Sequence, residues 1–441
     1  MIKAANKAVI IRHIKYLVIL YLYDIFHIMD DKEADIKAVI NTDKTTSPDR
    51  GELVSLMEPM KISEGSRYRA ELTDLAVELA SHAAGFRRSL PAGILTALAD
   101  LVRSMNCYYS NLIEGHDTHP IDIERALKDD YSTNTDKRNL QLEAKAHIAV
   151  QRWIDEGGLH GRTFSPEGLC EVHKRFGELL PDELLWIENP DTGEKMQVIP
   201  GAFRQFDVKV GRHIPISPGA LPRFLEQFER TYSGLGKAEK IIAAAAAHHR
   251  LLWIHPFLDE NGRVARLMSH AMLLELLDTG SIWSIARGFA RNERLYKSHL
   301  AACDHPRRGD LDGRGNLSEE GLAEFTRFFL ETCLDQVKFM EELVQPHRLK
   351  DRILLWTEEE IRADTLPQKA GRILEAILYR GELPRGEVPE LLGVSERHAR
   401  RIVAALNEHG VIVSESTRAP LRLAFPAKLA SRWMPGLFPE K

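Results

Sequence analysis

The chain has 441 residues, room for two or three domains, with 44% hydrophobic and 28% charged residues; this is ordinary globular composition and excludes disordered and collagen-like classes. A net charge of -5 gives no overall pull toward nucleic acid, so any DNA contact needs a local basic patch. Cys107, Cys170, Cys303 and Cys333 form no CxxC pair, which argues against a zinc ribbon or a disulfide framework and fits a reducing, cytoplasmic setting.

Residues 8–28 are apolar and follow a short basic stretch, but Arg12, His13, Lys15 and Asp24 interrupt them. A spanning helix needs roughly 20 mostly apolar residues, and no small-residue cleavage site follows, so neither a membrane span nor a signal peptide is expected. Met29 reads as the natural start, with a polar, flexible lead-in up to residue 66. Apolar residues at three- and four-residue spacing then predict a helix over 68–88 and another over 89–115, opened by a Ser-x-Pro signal and closed by Gly115. Further helices are predicted over 121–129, 136–156, 165–180 and 219–233. Between the last two, residues 196–217 alternate Val, Phe and Ile with polar residues around Pro-Gly and Gly211, and read as a β-hairpin. From 236 to 345 the pattern is helical except at 255–260 and at the Gly/Asp-rich run 307–318; no internal repeat is present. After 366 the order helix, Gly-containing turn, helix and two short strands matches a winged helix-turn-helix layout.

The chemistry gathers at 255–266. An Ala-rich helix runs into His255-Pro256, the cluster Asp259, Glu260, Asn261, Gly262 interrupts it, and an amphipathic helix restarts near Asn261. A loop feeding a helix start is a ready anion site, because the first backbone N–H groups are unpaired and the dipole is positive there. Arg263 and Arg266, three apart, project from one face. Together these predict a polyphosphate site, with Asp259 able to hold Mg²⁺ and His255 suited to general-base work near neutral pH. Taken singly, an HP pair is commonly structural and two such arginines are commonly a solvated face. A metal site from His248, His249 and His255 is disfavoured, since adjacent residues diverge by about 100° on a helix.

HPFLDENGRVAR (255–266) resembles the signature of the Fic (filamentation induced by cAMP) family, HxFx(D/E)GNGRxxR. The resemblance implies a protein adenylyltransferase that moves AMP from ATP onto a Ser, Thr or Tyr hydroxyl of a target protein, and onto itself. By that mapping His255 deprotonates the hydroxyl and Asp259 holds Mg²⁺ at the α- and β-phosphates. Asn261 and Gly262 form the anion hole, Arg263 and Arg266 bind the outer phosphates, and Phe257 anchors the loop in the core. Glu260 departs from the signature, standing where the family usually has glycine; it either points to solvent or weakens ATP binding or changes the metal demand. SNLIEG (110–115) is similar to the family's inhibitory motif (S/T)xxxE(G/N). Ser110 and Glu114 are thereby implied as inhibitory, with Glu114 on Arg266; a helix ending in Glu-Gly is also a common cap.

The 196–217 hairpin sits where the family has its flap, which aligns a segment of the target protein by strand pairing. Arg287, Tyr296 and the 307–318 run also look like a subgroup of Fic proteins, with Tyr296 an adenine neighbour or a core residue; the run lacks the spacing of a Ca²⁺ loop. In the tail, Arg397, His398, Arg400 and Arg401 crowd the first half of the second helix, where a recognition helix meets DNA, while winged helices also serve protein contacts. Val394, Ile402, Val403 and Leu406 are expected to face the core.

The expected fold is mainly α: a Fic helical core with a β-hairpin flap, N-terminal helices and a C-terminal winged helix-turn-helix domain. The expected divisions are an extension and lead-in at 1–66, a helical region with the inhibitory helix at 67–135, the catalytic core at 136–345, a linker at 346–365 and the winged-helix domain at 366–441. The expected ligands are ATP as substrate and Mg²⁺, and the expected partners a target protein, DNA through the tail and a second copy of the chain, with no membrane. The alternative function is a DNA-binding regulator whose Fic core senses nucleotide or is catalytically weak.

Overall fold

The computed structural model describes residues 39–40, 47–88, 90–189, 193–277 and 281–439, so the apolar stretch 8–28 and the start at Met29 lie outside the described residues. Strand β1 (Val39–Ile40) is followed by helices α1 (Arg69–Arg88), α2 (Ala92–Ile113), α3 (Pro120–Leu127), α4 (Thr135–Asp155) and α5 (Pro166–Gly177). Short strands β2 (Trp186–Glu188), β3 (Lys195–Gln197) and β4 (Val208–Lys209) precede α6 (Leu221–Ser233), α7 (Lys237–Ile254), α8 (Asn261–Leu277), α9 (Ile285–Arg291), α10 (Glu293–Cys303) and α11 (Glu319–Leu343). The end of the chain holds α12 (Pro346–Arg362), α13 (Ala370–Arg380), α14 (Val388–Leu392), α15 (Glu396–Glu408), β5 (Ile412–Val413), β6 (Arg422–Leu423) and α16 (Ala430–Trp433). The fold is thus mainly helical, and no helix among the described residues is long and apolar enough to cross a membrane.

The helix starts are chemically ordinary. Asn134, Ser165, Ser318 and Ser395 each accept a hydrogen bond from a first-turn backbone N–H, which satisfies a donor the helix itself cannot. The antiparallel pair α7 and α8 lies at the centre, buried on nearly every face. Residues 243–247 of α7 are all alanine and all buried, so α1, α6, α8 and α11 can pack closely around it. The loop joining α7 to α8 is therefore held from both ends by the core.

Three expectations change. The lead-in is packed rather than flexible over 47–66: Glu52 accepts from the Ser217 backbone N–H at 2.9 Å and from its hydroxyl at 2.7 Å. Met57 is fully buried, and the buried guanidinium of Arg250 donates to the Pro59 carbonyl at 2.7 Å. The linker at 346–365 is the helix α12, which buries Leu349, Ile353 and Trp356 and packs on α13 and α16. The hairpin lies earlier than 196–217, because β3 pairs back with β2 (Ile187 opposite Met196) while β4 pairs with β1. Pro200 and Pro215 lack the N–H a continuous ladder needs, and 196–217 closes on itself only at the single bridge of Val210 with His213.

At the end of the chain the helices α13, α14 and α15 are followed by the antiparallel pair β5 and β6, with Leu383 bridging Leu421. Ile402, Val403 and Leu406 are buried and Val394 is half-buried. This unit rests on α2. A Cβ on Gly93 would come within 2.2 Å of the Gly381 carbonyl oxygen, the Tyr109 hydroxyl donates to the Leu437 carbonyl at 3.0 Å, and Phe438 meets the Tyr108 ring edge-on at 5.7 Å.

Candidate active site

The loop between α7 and α8 is pinned by side chains from its own ends. Asn261 accepts from the Phe257 N–H at 3.0 Å and donates to the Phe257 carbonyl at 2.9 Å. Phe257 is fully buried and stacks on His173 of α5, with ring centroids 3.9 Å apart. With its side chain spent on this staple, Asn261 can serve an anion only through its backbone, which narrows the role expected for it. The first bond of α8 runs from the Val264 N–H to the Glu260 carbonyl at 2.9 Å. The N–H groups of Asn261, Gly262 and Arg263 therefore have no acceptor within the helix.

His255 closes α7 in the left-handed region, at φ 50 and ψ 64. The residue keeps part of its surface in solvent, yet its ring is enclosed by protein. Burial, aided by the positive fields of Arg204 and His213, lowers its pKa to about 3 against opposing effects of the Leu252 backbone and Glu114. The ring is neutral at physiological pH.

Both signature arginines are already gripped. Arg266 donates from Nη2 to Glu114 Oε1 at 2.5 Å, from Nε to the Ser110 hydroxyl at 2.9 Å and from Nη2 to the Ser110 carbonyl at 3.0 Å. Burial raises the Glu114 carboxyl, but the Arg266 and Arg263 charges outweigh it and its pKa lies below the usual carboxylate value. With 31% of the Glu114 side chain still accessible, solvent screens part of this attraction. Arg263 donates from Nη1 to Glu143 Oε2 of α4 at 3.1 Å, and the same oxygen meets His116 Nδ1 at 2.8 Å. Gly262 is what lets these groups converge: a Cβ there would lie 2.3 Å from Glu114 Oε1.

Glu260 does not point to solvent. It is 6% exposed and has φ 67, a left-handed conformation that glycine adopts without strain and other residues do not. Its Oε2 has no hydrogen-bond partner, and Oε1 stands 3.9 Å from Arg263 Nη2. Burial, opposed by Arg263, raises its pKa to about 8, so it is mostly protonated at neutral pH. Beside it, Asp259 accepts the Glu260 N–H at 2.6 Å through Oδ1 and is half-buried. Asp259 is thus the accessible carboxylate of the loop, an oxygen donor suited to a hard cation that also takes ligands from phosphates and water.

Of the other expected residues, Tyr296 borders the site, its hydroxyl close enough to interact with Arg266, and the rest lie apart. Tyr296 is 2% exposed, stacks on Phe289 at 4.2 Å and bonds His248 Nε2 at 2.7 Å, so its ring offers no open face to an adenine. His248 also meets Ser269, and His249 meets Asp304; no group of three or more metal-binding side chains occurs among the described residues. Arg287 donates to Gln336 and to the Gly436 carbonyl, holding the end of the chain. Asp312 of the 307–318 run is spent on Arg308, Ser318 and Glu320. Arg397, His398, Arg400 and Arg401 are exposed on α15, far along the chain from the loop and not joined to it by any contact described. Sequence reasoning missed Glu143, His116 and Arg204, since a single Glu in a helix or a single Arg in a loop carries no local signal.

Residues 163–273 match the family model described as the Fic/DOC family. The matched part contains the 255–266 loop but neither Glu114 nor Glu143. The protein adenylyltransferase Fic of Drosophila erecta is 34% identical over 99 residues, 22% of this chain and 20% of that protein. Its counterpart in Drosophila melanogaster is 41% identical over 76 residues, 17% of this chain and 15% of that protein. The chain thus spans about a fifth of the length of these curated relatives. A Fic family protein from Desulfovibrio desulfuricans aligns over 82% of this chain and 98% of its own, at 15% identity and a TM-score of 0.49.

The His116–Glu143 contact yields a pH-dependent prediction. Glu143 holds the His116 pKa above its ordinary 6.5, so the contact contributes fully below about 6.5 and is lost as pH rises through the raised value. The thermal midpoint of the wild type should therefore exceed that of His116→Asn at about pH 6, and the gap should close by about pH 9. A gap that is flat or widens with pH would contradict the assignment.

Proposed function

On the premise that this is a Fic family protein, we propose that it is a protein adenylyltransferase that moves AMP from ATP onto a Ser, Thr or Tyr hydroxyl, held in check by Glu114. The observation that carries the reading is the 255–266 loop: a neutral histidine, a carboxylate, three unpaired helix-start N–H groups and two arginines around one loop. The Fic/DOC match and the adenylyltransferase names of the relatives support the reaction class.

On this reading the α-phosphate sits over the backbone N–H groups of 261–263, where the helix dipole favours an anion. Arg263 and Arg266 hold the outer phosphates. The target hydroxyl gives its proton to His255 as its oxygen bonds to the α-phosphorus; the bond from that phosphorus to the bridging oxygen breaks, and pyrophosphate leaves. The negative charge of ATP beside the ring raises its basicity from the low value of the free site. Mg²⁺, for which Asp259 is the protein ligand, supplies charge neutralisation at the phosphates when bound. The protonated Glu260 carboxyl adds no net charge there. The target lies along 196–217, where β3 and β4 each belong to a two-stranded sheet and so keep a second edge for an extended segment.

Glu114 restrains the reaction because one guanidinium cannot serve a carboxylate and a phosphate in the same place. Removing Glu114 frees an interaction of about 1.5–3 kcal/mol for the phosphate, so Glu114→Gly should raise self-modification by roughly 10- to 100-fold. Adding His255→Ala should lower it by roughly 100-fold or more. Intact-mass spectrometry after incubation with ATP and Mg²⁺ reads both: no added AMP in Glu114→Gly, or AMP undiminished without His255, would overturn the proposal.

A second reading, a DNA-binding regulator with a nucleotide-sensing core, draws on the exposed basic face of α15. Arg400 there is paired, among the described residues, with Glu396 alone, both side chains at least 75% exposed, a contact worth little and readily exchanged for a phosphate. Salt-dependent duplex binding that weakens several-fold in Arg397→Ala with Arg401→Ala, without AMP transfer, would support it; no binding at low salt would remove it.

A further inference from the structure

Arg204 lies in the 196–217 segment and is 4% exposed. Its Nε donates to the His255 carbonyl at 2.7 Å, Nη1 to the Phe206 carbonyl at 3.0 Å and Nη2 to the Ile216 carbonyl at 2.5 Å. Its backbone N–H donates to the Pro256 carbonyl at 2.9 Å. No carboxylate among the described residues lies within ion-pair distance of it. Burial lowers its pKa to about 10, partly opposed by Asp207, so it stays charged at neutral pH. A buried cation whose direct partners are carbonyl dipoles, with the Asp207 and Glu52 charges acting from further off, is a costly way to fill space.

The position of those carbonyls explains the arrangement. His255 and Pro256 leave α7 at its C-terminal end, where no helical N–H remains to bond them. His255 is left-handed, which costs a non-glycine residue about 1–2 kcal/mol and persists only when its surroundings hold it. Arg204 provides a donor to each of the two carbonyls, a C-cap reached from a distant segment. His213, from the same segment, adds a bond between its Nε2 and the Trp253 carbonyl at 2.7 Å.

We propose that Arg204 is the positioning residue for His255, fixing the base and the target-receiving segment in one frame. The inference rests on the adenylyltransferase reading. Two of the Arg204 side-chain bonds order the segment that receives the target; the third orders the backbone that carries the base. None reaches Arg263 or Arg266, so the nucleotide cradle is independent of it. A base displaced by about 1 Å costs on the order of 100-fold in rate, while ATP affinity stays where the arginines set it.

The test uses the full chain in the Glu114→Gly background, with Arg204→Lys as the charge-preserving variant and Arg204→Met as the charge-free one. Arg204→Lys should keep its circular dichroism and ATP affinity while the rate of AMP transfer at saturating ATP falls roughly 30- to 100-fold; Arg204→Met should transfer still less. Transfer at the parent rate in Arg204→Lys overturns the inference. So does a fall in ATP affinity parallel to the fall in transfer, or unfolding of both variants, because either makes Arg204 a general scaffold residue. A Glu114→Gly parent that transfers nothing overturns the adenylyltransferase reading itself.

Discussion

Two guanidinium groups at the start of one buried helix have to be compensated, and much of the molecule is arranged around that need. Arg263 is 7% and Arg266 3% exposed, and a buried charge without a partner is strongly destabilising. The partners come from outside the α7–α8 pair: Glu143 from α4, and Ser110 with Glu114 from the end of α2. The N-terminal helices thus complete the electrostatics of the loop as well as covering the core. A phosphate entering the loop competes with them for the same donors.

That arrangement joins distant parts of the chain mechanically. Tyr109, one residue before Ser110, is bonded to Leu437, and Tyr108 packs on Phe438. The helix that grips Arg266 is therefore buttressed by residues 437 and 438, and through Gly93 and Gly381 by the C-terminal helical unit. The opposite side of the loop is tied by Arg204 to the segment between β3 and α6. His255 stands where these two sets of restraints meet.

The helices were legible in the sequence because their signals are local. Apolar spacing, side-chain caps such as Ser165 and Ser318, and prolines at helix starts each act within one or two turns. The loop itself was legible for the same reason, since the histidine, carboxylate and arginines proposed for its chemistry lie within twelve consecutive residues. What escaped depends on long-range contact. Nothing near residue 143 announces that its carboxylate meets Arg263, 120 positions away. The 346–365 stretch is charged enough to read as a linker, yet its apolar minority falls on one face and packs on α13 and α16. Strand partners were misjudged because β3 and β4 are too short to specify register. Glu260 in place of glycine was visible; its burial was set by the loop closing over it.

The competition for Arg266 is the centre of the account, and calorimetric titration of ATP measures it most directly. The account predicts that Glu114→Gly binds ATP about 10-fold more tightly than the wild type, and that adding Arg266→Ala abolishes the gain. Equal affinity in wild type and Glu114→Gly, or a gain that survives the loss of Arg266, would contradict it.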